Sequence, residues 1–371
     1  MWSKGTTQHD LAYQMGMSEQ ALSRLMQGRS LDFKNTFIAA KYFYKDSWAE
    51  KMDEYCLGMT TTAGVISAFE YAYSNDRDKL TKKLLEKHSK SEQEIRDCHA
   101  IYKSFFGYTS SKENGEDRKE IYSKSLEELR LLYGHVSDPV LNTRIFLFLG
   151  LLHFDNKALG VIPTYRGMFS QKINALRDTY VRDSLFAQYH TLEASYCLYA
   201  DGDVELARLH AGEVIKNYTS SFLRKGAAMH IKSLSYLYKD KQKSISCMKE
   251  SAEQYRRGGY RNYADEREKE NTFFIRNVHK EEFYDEDLQG EELAHQLIVR
   301  GKNKEALEVI DCAVGGDEAC IQLYKSMAKR DVRGIMKAYK FFLKQGYTYF
   351  LELCENELEA LVHHNLKEEL T

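Results

Sequence analysis

Residues 184–217 read SLFAQYHTLEASYCLYADGDVELARLHAGEVIKN. Two amphipathic stretches, Ser184 to Tyr199 and Val204 to Asn217, flank the polar turn Ala200-Asp201-Gly202-Asp203. Ser195, Ala207 and Ala211 are small residues at spacings where two helices can cross closely, with Leu198 beside them. The pair resembles a tetratricopeptide unit of ~34 residues, which cannot bury its apolar faces alone and is stabilised by stacking on its neighbours. A second pair places Ser235, Tyr238, Cys247 and Ser251 at equivalent offsets, and a third places Ala294, Leu297, Ala306 and Ala313 there. From residue 51 onward the spacing predicts about seven such hairpins.

The composition around this unit agrees. The chain has 371 residues and only two prolines, Pro139 and Pro163, where average usage predicts roughly 18. Proline breaks helix interiors but is welcome in turns and sheet edges, so its scarcity favours helices over sandwiches or barrels. Both prolines fall at expected helix boundaries: Pro139 follows the candidate caps Ser137 and Asp138, and Pro163 lies between two helical stretches. The fold class expected is all-α. No apolar run is long enough to cross a membrane, and the first residues lack a secretory signal, so the expected location is the cytoplasm. Formal charge is −2, which leaves no bulk attraction for nucleic acid or anionic lipid. Any DNA contact must be local. The seven cysteines are scattered and never spaced C-x-x-C, and they read as reduced, mostly buried small residues in preference to disulfides or metal ligands.

The first fifty residues have a different pattern. Thr7 can cap a helix with Asp10 three places on, followed by apolar Leu11, Ala12 and Met15, and Gly16 permits a left-handed turn. Ser18 can cap a second helix whose buried side is Ala21, Leu22 and Leu25, and Gly28 stops it. This is helix-turn-helix spacing. In that motif the second helix enters the major groove while its surroundings touch phosphates. The exposed candidates are Ser18, Glu19, Gln20, Ser23, Arg24 and Gln27, with Gln20 suited to an adenine edge and Arg24 to guanine or phosphate. Gln8, Arg29, Lys34 and Lys41 are candidate backbone contacts. Residues 1–50 hold six basic against five acidic groups. One such weak footprint releases few counterions, so two heads on one operator, hence a homodimer, are expected.

No catalytic constellation emerges. The twelve histidines form no H-E-x-x-H motif and no glycine-rich loop follows a strand, so the expectation is a non-enzyme without cofactor or metal. The inner side of a helical repeat is instead a natural groove for an extended peptide, and the 26 tyrosines suit one. Ser195 faces that groove in the repeat register, and Arg224 opens the next hairpin, where it either holds a carboxylate or is a solvated surface arginine. The terminal stretch from Thr348 carries Phe350, Leu351, Leu353, Leu358, Leu361, Val362 and Leu366, and either caps the repeat or pairs with another copy.

Several islands then resemble a known family: Tyr55-Cys56-Leu57 with Ala68-Phe69-Glu70-Tyr71-Ala72, Tyr180-Val181-Arg182-Asp183-Ser184, Ser235 to Asp240, Phe283 to Asp287, and Lys304 to Leu307. In their order and spacing the chain is similar to the AimR-type arbitrium receptors of temperate Bacillus phages. The resemblance implies a regulator that binds promoter DNA as a dimer and is switched by a re-imported peptide of about six residues, so setting lysis against lysogeny. It places groove positions on Ser195 and approximately on Arg224. Where the family can set an acid against an arginine of its peptide, Tyr347 matches here, and Glu291 or Glu292 is the alternative acid. The stretch 336–371 corresponds to the family's dimerising region, which points to Phe350, Leu351, Leu358, Leu361 and Val362. The expected division is a helix-turn-helix head at 1–50, a TPR-like peptide-binding superhelix at 51–335 and C-terminal capping or dimerisation helices at 336–371. The competing readings are a response-regulator phosphatase or protein-sequestering receptor of the same repeat group, whose members lack the helix-turn-helix spacing, and a host chromosomal peptide-pheromone regulator.

Overall fold

The computed structural model of the chain describes residues 7–113, 118–177, 179–312 and 318–369. Among them the regular elements are helices, and no described helix is long and apolar enough to cross a membrane. The expected all-α class holds. The chain forms two compact units, one from residues 1–152 with 164–186 and the other from residues 153–163 with 187–371.

The first unit begins with two short helices, Gln8–Met15 and Glu19–Met26, joined through Gly16 at φ 67°. Thr7 and Asp10 form the reciprocal capping box, and the Ser18 hydroxyl accepts from the Ala21 N–H at 3.1 Å. Ala12, Met15 and Leu22 pack with Ala39 of a third helix, Phe33–Tyr44. That helix also faces the other way: Phe33 and Phe37 lie 4.9 and 5.0 Å from the Tyr180 ring and within ring contact of Tyr71. Tyr71 and Tyr180 belong to two of the sequence islands, which meet in space. The Ser74 hydroxyl is 3.0 Å from the Tyr180 hydroxyl, and the Ser184 hydroxyl donates to Glu70 at 2.5 Å. Glu70 is fully buried and also accepts from the Tyr102 hydroxyl at 2.6 Å and from the Arg144 guanidinium. A carboxylate so enclosed is tolerable only because these partners replace its lost water.

In the second unit the hairpins pack through small residues. The helix Tyr180–Tyr196 runs into a π-helical turn, Cys197–Asp201, then reverses at Gly202, φ 69°, into Val204–Lys216. Ala207 and Ala211 are fully buried, as the crossing pattern predicts. In the next hairpin, Phe222–Leu234 against Lys241–Arg257, the expected Ser251 makes the crossing together with Gly226, Ser233 and Ser244, which the spacing did not single out. Ser251 donates to the Gly226 carbonyl at 2.6 Å, and Ser233 and Ser244 exchange bonds through each other's backbone, while Ser235 only ends its helix. Gly226 lies against the Tyr255 ring, 2.9 Å from where a Cβ would stand, which is why a residue without one is there. In the third pair Ala294, Leu297 and Ala306 are buried, and Ala313 lies outside the described residues. Both prolines sit in first turns: Pro139 heads its helix under the Asp138 cap, and Pro163 is the second residue of Ile162–Asn174 instead of lying between helices.

Candidate functional site

A cavity of about 840 Å³ in the second unit collects four of the residues singled out in the sequence, Glu291, Glu292 and Tyr347 and, from the expected dimerising set, Phe350. Six elements build it, the end of Pro139–Asp155 contributing Phe154. The π-helical turn supplies Tyr199, and Phe222–Leu234 supplies His230 and Leu234. Glu270–Val278 contributes Glu270, Asn271 and Phe274, Gly290–Val299 contributes both glutamates, and the connection before the last helix contributes Tyr347 and Phe350. One wall is aromatic: the Tyr199 ring is 5.7 Å from Tyr347 and 6.1 Å from Phe350. Lys157 stands behind this wall, its ammonium 5.2 Å from the Tyr347 ring centre. The other wall is acidic, with Glu270, Glu291 and Glu292 and no lysine or arginine among the described lining residues.

Two effects compete at Glu292. It lies in the first turn of Gly290–Val299, where the helix N-terminus favours a carboxylate, and it accepts from the Asn277 amide at 2.8 Å and the Tyr324 hydroxyl at 3.4 Å. Burial works the other way, helped by the negative charges of Glu291 and Glu270. Burial wins, and the Glu292 carboxyl is pushed up to about 8. His230 is held well below its ordinary range by burial and then by the charge of Arg267, so it lines the cavity as a neutral imidazole.

The two residues nominated from the repeat register stand elsewhere. Ser195 donates back to the Thr191 carbonyl at 3.1 Å, and Arg224 lies in the first turn of Phe222–Leu234, its N–H on the Ser221 cap; neither is among the described lining residues. The sequence reading missed Tyr199, His230 and Phe274. The i, i+4 pair Glu270 and Phe274 on one helix was the available signal for that side. A second cavity, in the first unit, lies between Gln93–Glu113 and Arg118–His135 and holds none of the nominated residues.

In the N-terminal head the nominated residues divide into two groups. Gln8 donates to the Glu19 carbonyl at 3.1 Å, His9 meets the Glu19 carboxylate at 2.7 Å, and Gln27 donates to the Ser23 hydroxyl at 3.2 Å. The contacts of Gln8 and His9 with Glu19 tie the two helices together, while the Ser18 cap and the Gln27–Ser23 bond lie within the second helix and its ends. Lys34 pairs with Asp183 at 3.0 Å, and the Lys41 ammonium lies 4.5 Å over Phe37. The side chains of Gln20, Arg24 and Arg29 are exposed and make no hydrogen bond to another described residue, the one contact between them being the Arg29 N–H on the Arg24 carbonyl. At the other end, Phe350, Leu351, Leu358 and Leu361 pack on their own unit's core, whereas Val362 is 54% exposed.

A family model described as AimR transcriptional regulator-like matches residues 49–360. Among solved structures, a selenomethionine form of phAimR is similar with a TM-score of 0.74 at 16% identity, covering 97% of this chain and 94% of that one. A structure of phAimR with ligand is similar with a TM-score of 0.67 at 17% identity, covering 87% and 95%. At such identities the likeness shows a shared helical-repeat fold. No curated protein matches the chain.

Proposed function

The chain belongs to the AimR transcriptional regulator-like family, and from that premise we propose that it is a DNA-binding regulator of the phage lysis–lysogeny decision, acting as a dimer in the host cytoplasm and switched by a short peptide. The observation that carries the ligand half is the cavity with an aromatic wall facing three carboxylates. Tyr199, Tyr347 and Phe350 take the apolar part of a peptide of about six residues, and Glu291 and Glu292 take a basic side chain. That a solved phAimR structure holds a ligand supports a binding role in place of catalysis. Residues 1–50 form the DNA-reading head, 51–335 the peptide-binding repeat and 336–371 the capping and dimerising end, with Val362 the apolar residue on offer to a second copy.

In the head, Gln20 and Arg24 read bases and Arg29 binds phosphate. Ser18, Glu19, Gln8, Ser23 and Gln27 shape the surface that presents them. Peptide binding alters DNA affinity only to the extent that the peptide prefers one of two conformations of the chain.

The experiment is a gel shift on the region upstream of the chain's own locus, with and without short peptides encoded beside it. Q20A and R24A should each weaken operator binding by ~1–3 kcal/mol. A basic peptide should bind more tightly as pH rises toward 8, because Glu292 must lose its proton to pair with a cation. DNA binding unaffected by every neighbouring peptide defeats the proposal.

A further inference from the structure

A polar cluster in the second unit plays no part in the proposed regulator and stands apart from its cavity. His190, Glu193 and Cys197 stand at i, i+3 and i+7, one face of a helix. His210 approaches that face from Val204–Lys216. All four are buried, Glu193 to 1% exposure and Cys197 to 0%. One ligand atom each from Glu193, Cys197 and His210 lie within 4.8 Å of one another. His210 Nε2 is 3.9 Å from Glu193 Oε2, and His210 Nδ1 is 2.6 Å from His190 Nδ1.

Hairpin packing does not call for such a group. At the neighbouring crossing positions the same hairpin uses Ala207 and Ala211. We propose that Glu193, Cys197 and His210 form a binding site for a borderline-soft divalent transition ion of the Zn²⁺ class.

The donor set selects that class. A thiolate and an imidazole are poor ligands for Ca²⁺ or Mg²⁺, which take oxygen, whereas one sulfur, one nitrogen and one carboxylate oxygen suit zinc or cobalt. Charge also balances: carboxylate and thiolate together neutralise the ion, so the buried site carries no net charge, and binding releases the thiol proton to solvent. Bonds of about 2.0–2.3 Å require the three donors to close by roughly 1 Å, which side-chain rotation supplies.

His190 is a positioning residue here. The 2.6 Å contact between the two Nδ1 atoms needs one proton, and with the ion bound that proton sits on His210 Nδ1, which leaves His210 Nε2 bare toward the ion. The backbone supports the same arrangement, since the π-helical turn begins at Cys197, a feature common at ligand sites. The Cys197 carbonyl accepts from the Asp203 N–H at 2.9 Å, turning the chain back so that the following helix returns His210. Water fills the fourth position.

The test uses the full chain, stripped with a chelator and titrated with Co²⁺. The expected result is a single equivalent bound, with a thiolate-to-cobalt charge-transfer band and tetrahedral ligand-field absorption, reversed by Zn²⁺ and untouched by Mg²⁺ or Ca²⁺. C197S should lose the charge-transfer band, and E193Q, nearly the same in shape, should bind more than tenfold more weakly. H190A should weaken binding by about 10–100-fold with the ligand-field bands unchanged. C247S should behave as the parent chain. Circular dichroism shows which variants fold, and for any that do not, Zn²⁺ raising the melting temperature of the parent but not of E193Q carries the decision. Absence of stoichiometric Co²⁺ uptake, or a charge-transfer band surviving in C197S, overturns the assignment.

Discussion

Glu70 of the first unit is fully buried and held by Arg144, Tyr102 and Ser184, whereas the hairpin Phe222–Leu234 with Lys241–Arg257 in the second unit closes on Gly226, Ser233, Ser244 and Ser251. The first arrangement draws on four helices distant in sequence and is specific because a buried charge has few acceptable partners. The second needs only two consecutive helices and tolerates many sequences, provided the contact residues are small. The units therefore differ in which substitutions they can absorb. Where the second unit does enclose charge, at Glu292 and around Glu193, it does so beside a cavity or a candidate ion site.

The largest expected effect is on the first unit. E70A leaves the Arg144 guanidinium buried without its carboxylate and should cost about 3–5 kcal/mol in denaturant unfolding. A cost below about 1 kcal/mol would erase the contrast. G226A in the second unit puts a methyl group 2.9 Å from the buried Tyr255 ring and should cost about 1–3 kcal/mol. Y255A should remove most of that penalty, measured as a double-mutant coupling.

The smallest effect concerns Glu292 and has the opposite sign. Its carboxyl titrates near 8 when folded against an ordinary 4.5, so between those values the unfolded chain has released a proton that the folded chain retains. Glu292 therefore costs no stability below about pH 4.5, and the cost grows between about 4.5 and 8 and levels off above. E292Q removes it and should stabilise the chain by about 1–2 kcal/mol at pH 8, with little gain at pH 5, read from melting curves at the two pH values. A gain equal at both would show that burial, and not titration, sets the behaviour of this side chain.

How much was legible follows from the range of each interaction. The capping box at Thr7 and Asp10, the Gly16 turn and the alanines at 207 and 211 were readable because each depends on residues within one or two helical turns. Gly226 was missed as a crossing residue because its partner, Tyr255, stands 29 positions away and only its ring fills the space. At the cavity, the acids Glu291 and Glu292 were nominated, but Tyr199, His230 and Phe274 were not, since they come from three separate elements. Ser195 lies on a helix that was read correctly, with its hydroxyl bonded back to Thr191, and it is not among the described residues that line the cavity.

Local rules were enough to specify an all-helical chain, its caps and turns, the small-residue hairpins and a two-helix head. Those features depend on backbone hydrogen bonding and side-chain periodicity, which act over a few residues and leave a repeating trace. Tertiary structure alone brought Glu70 to Arg144, Glu270 to Glu292, and His210 to His190 and Cys197. Such meetings depend on how helices distant in the chain pack, and burial then changes the chemistry of each group, as it does in pushing Glu292 up to about 8.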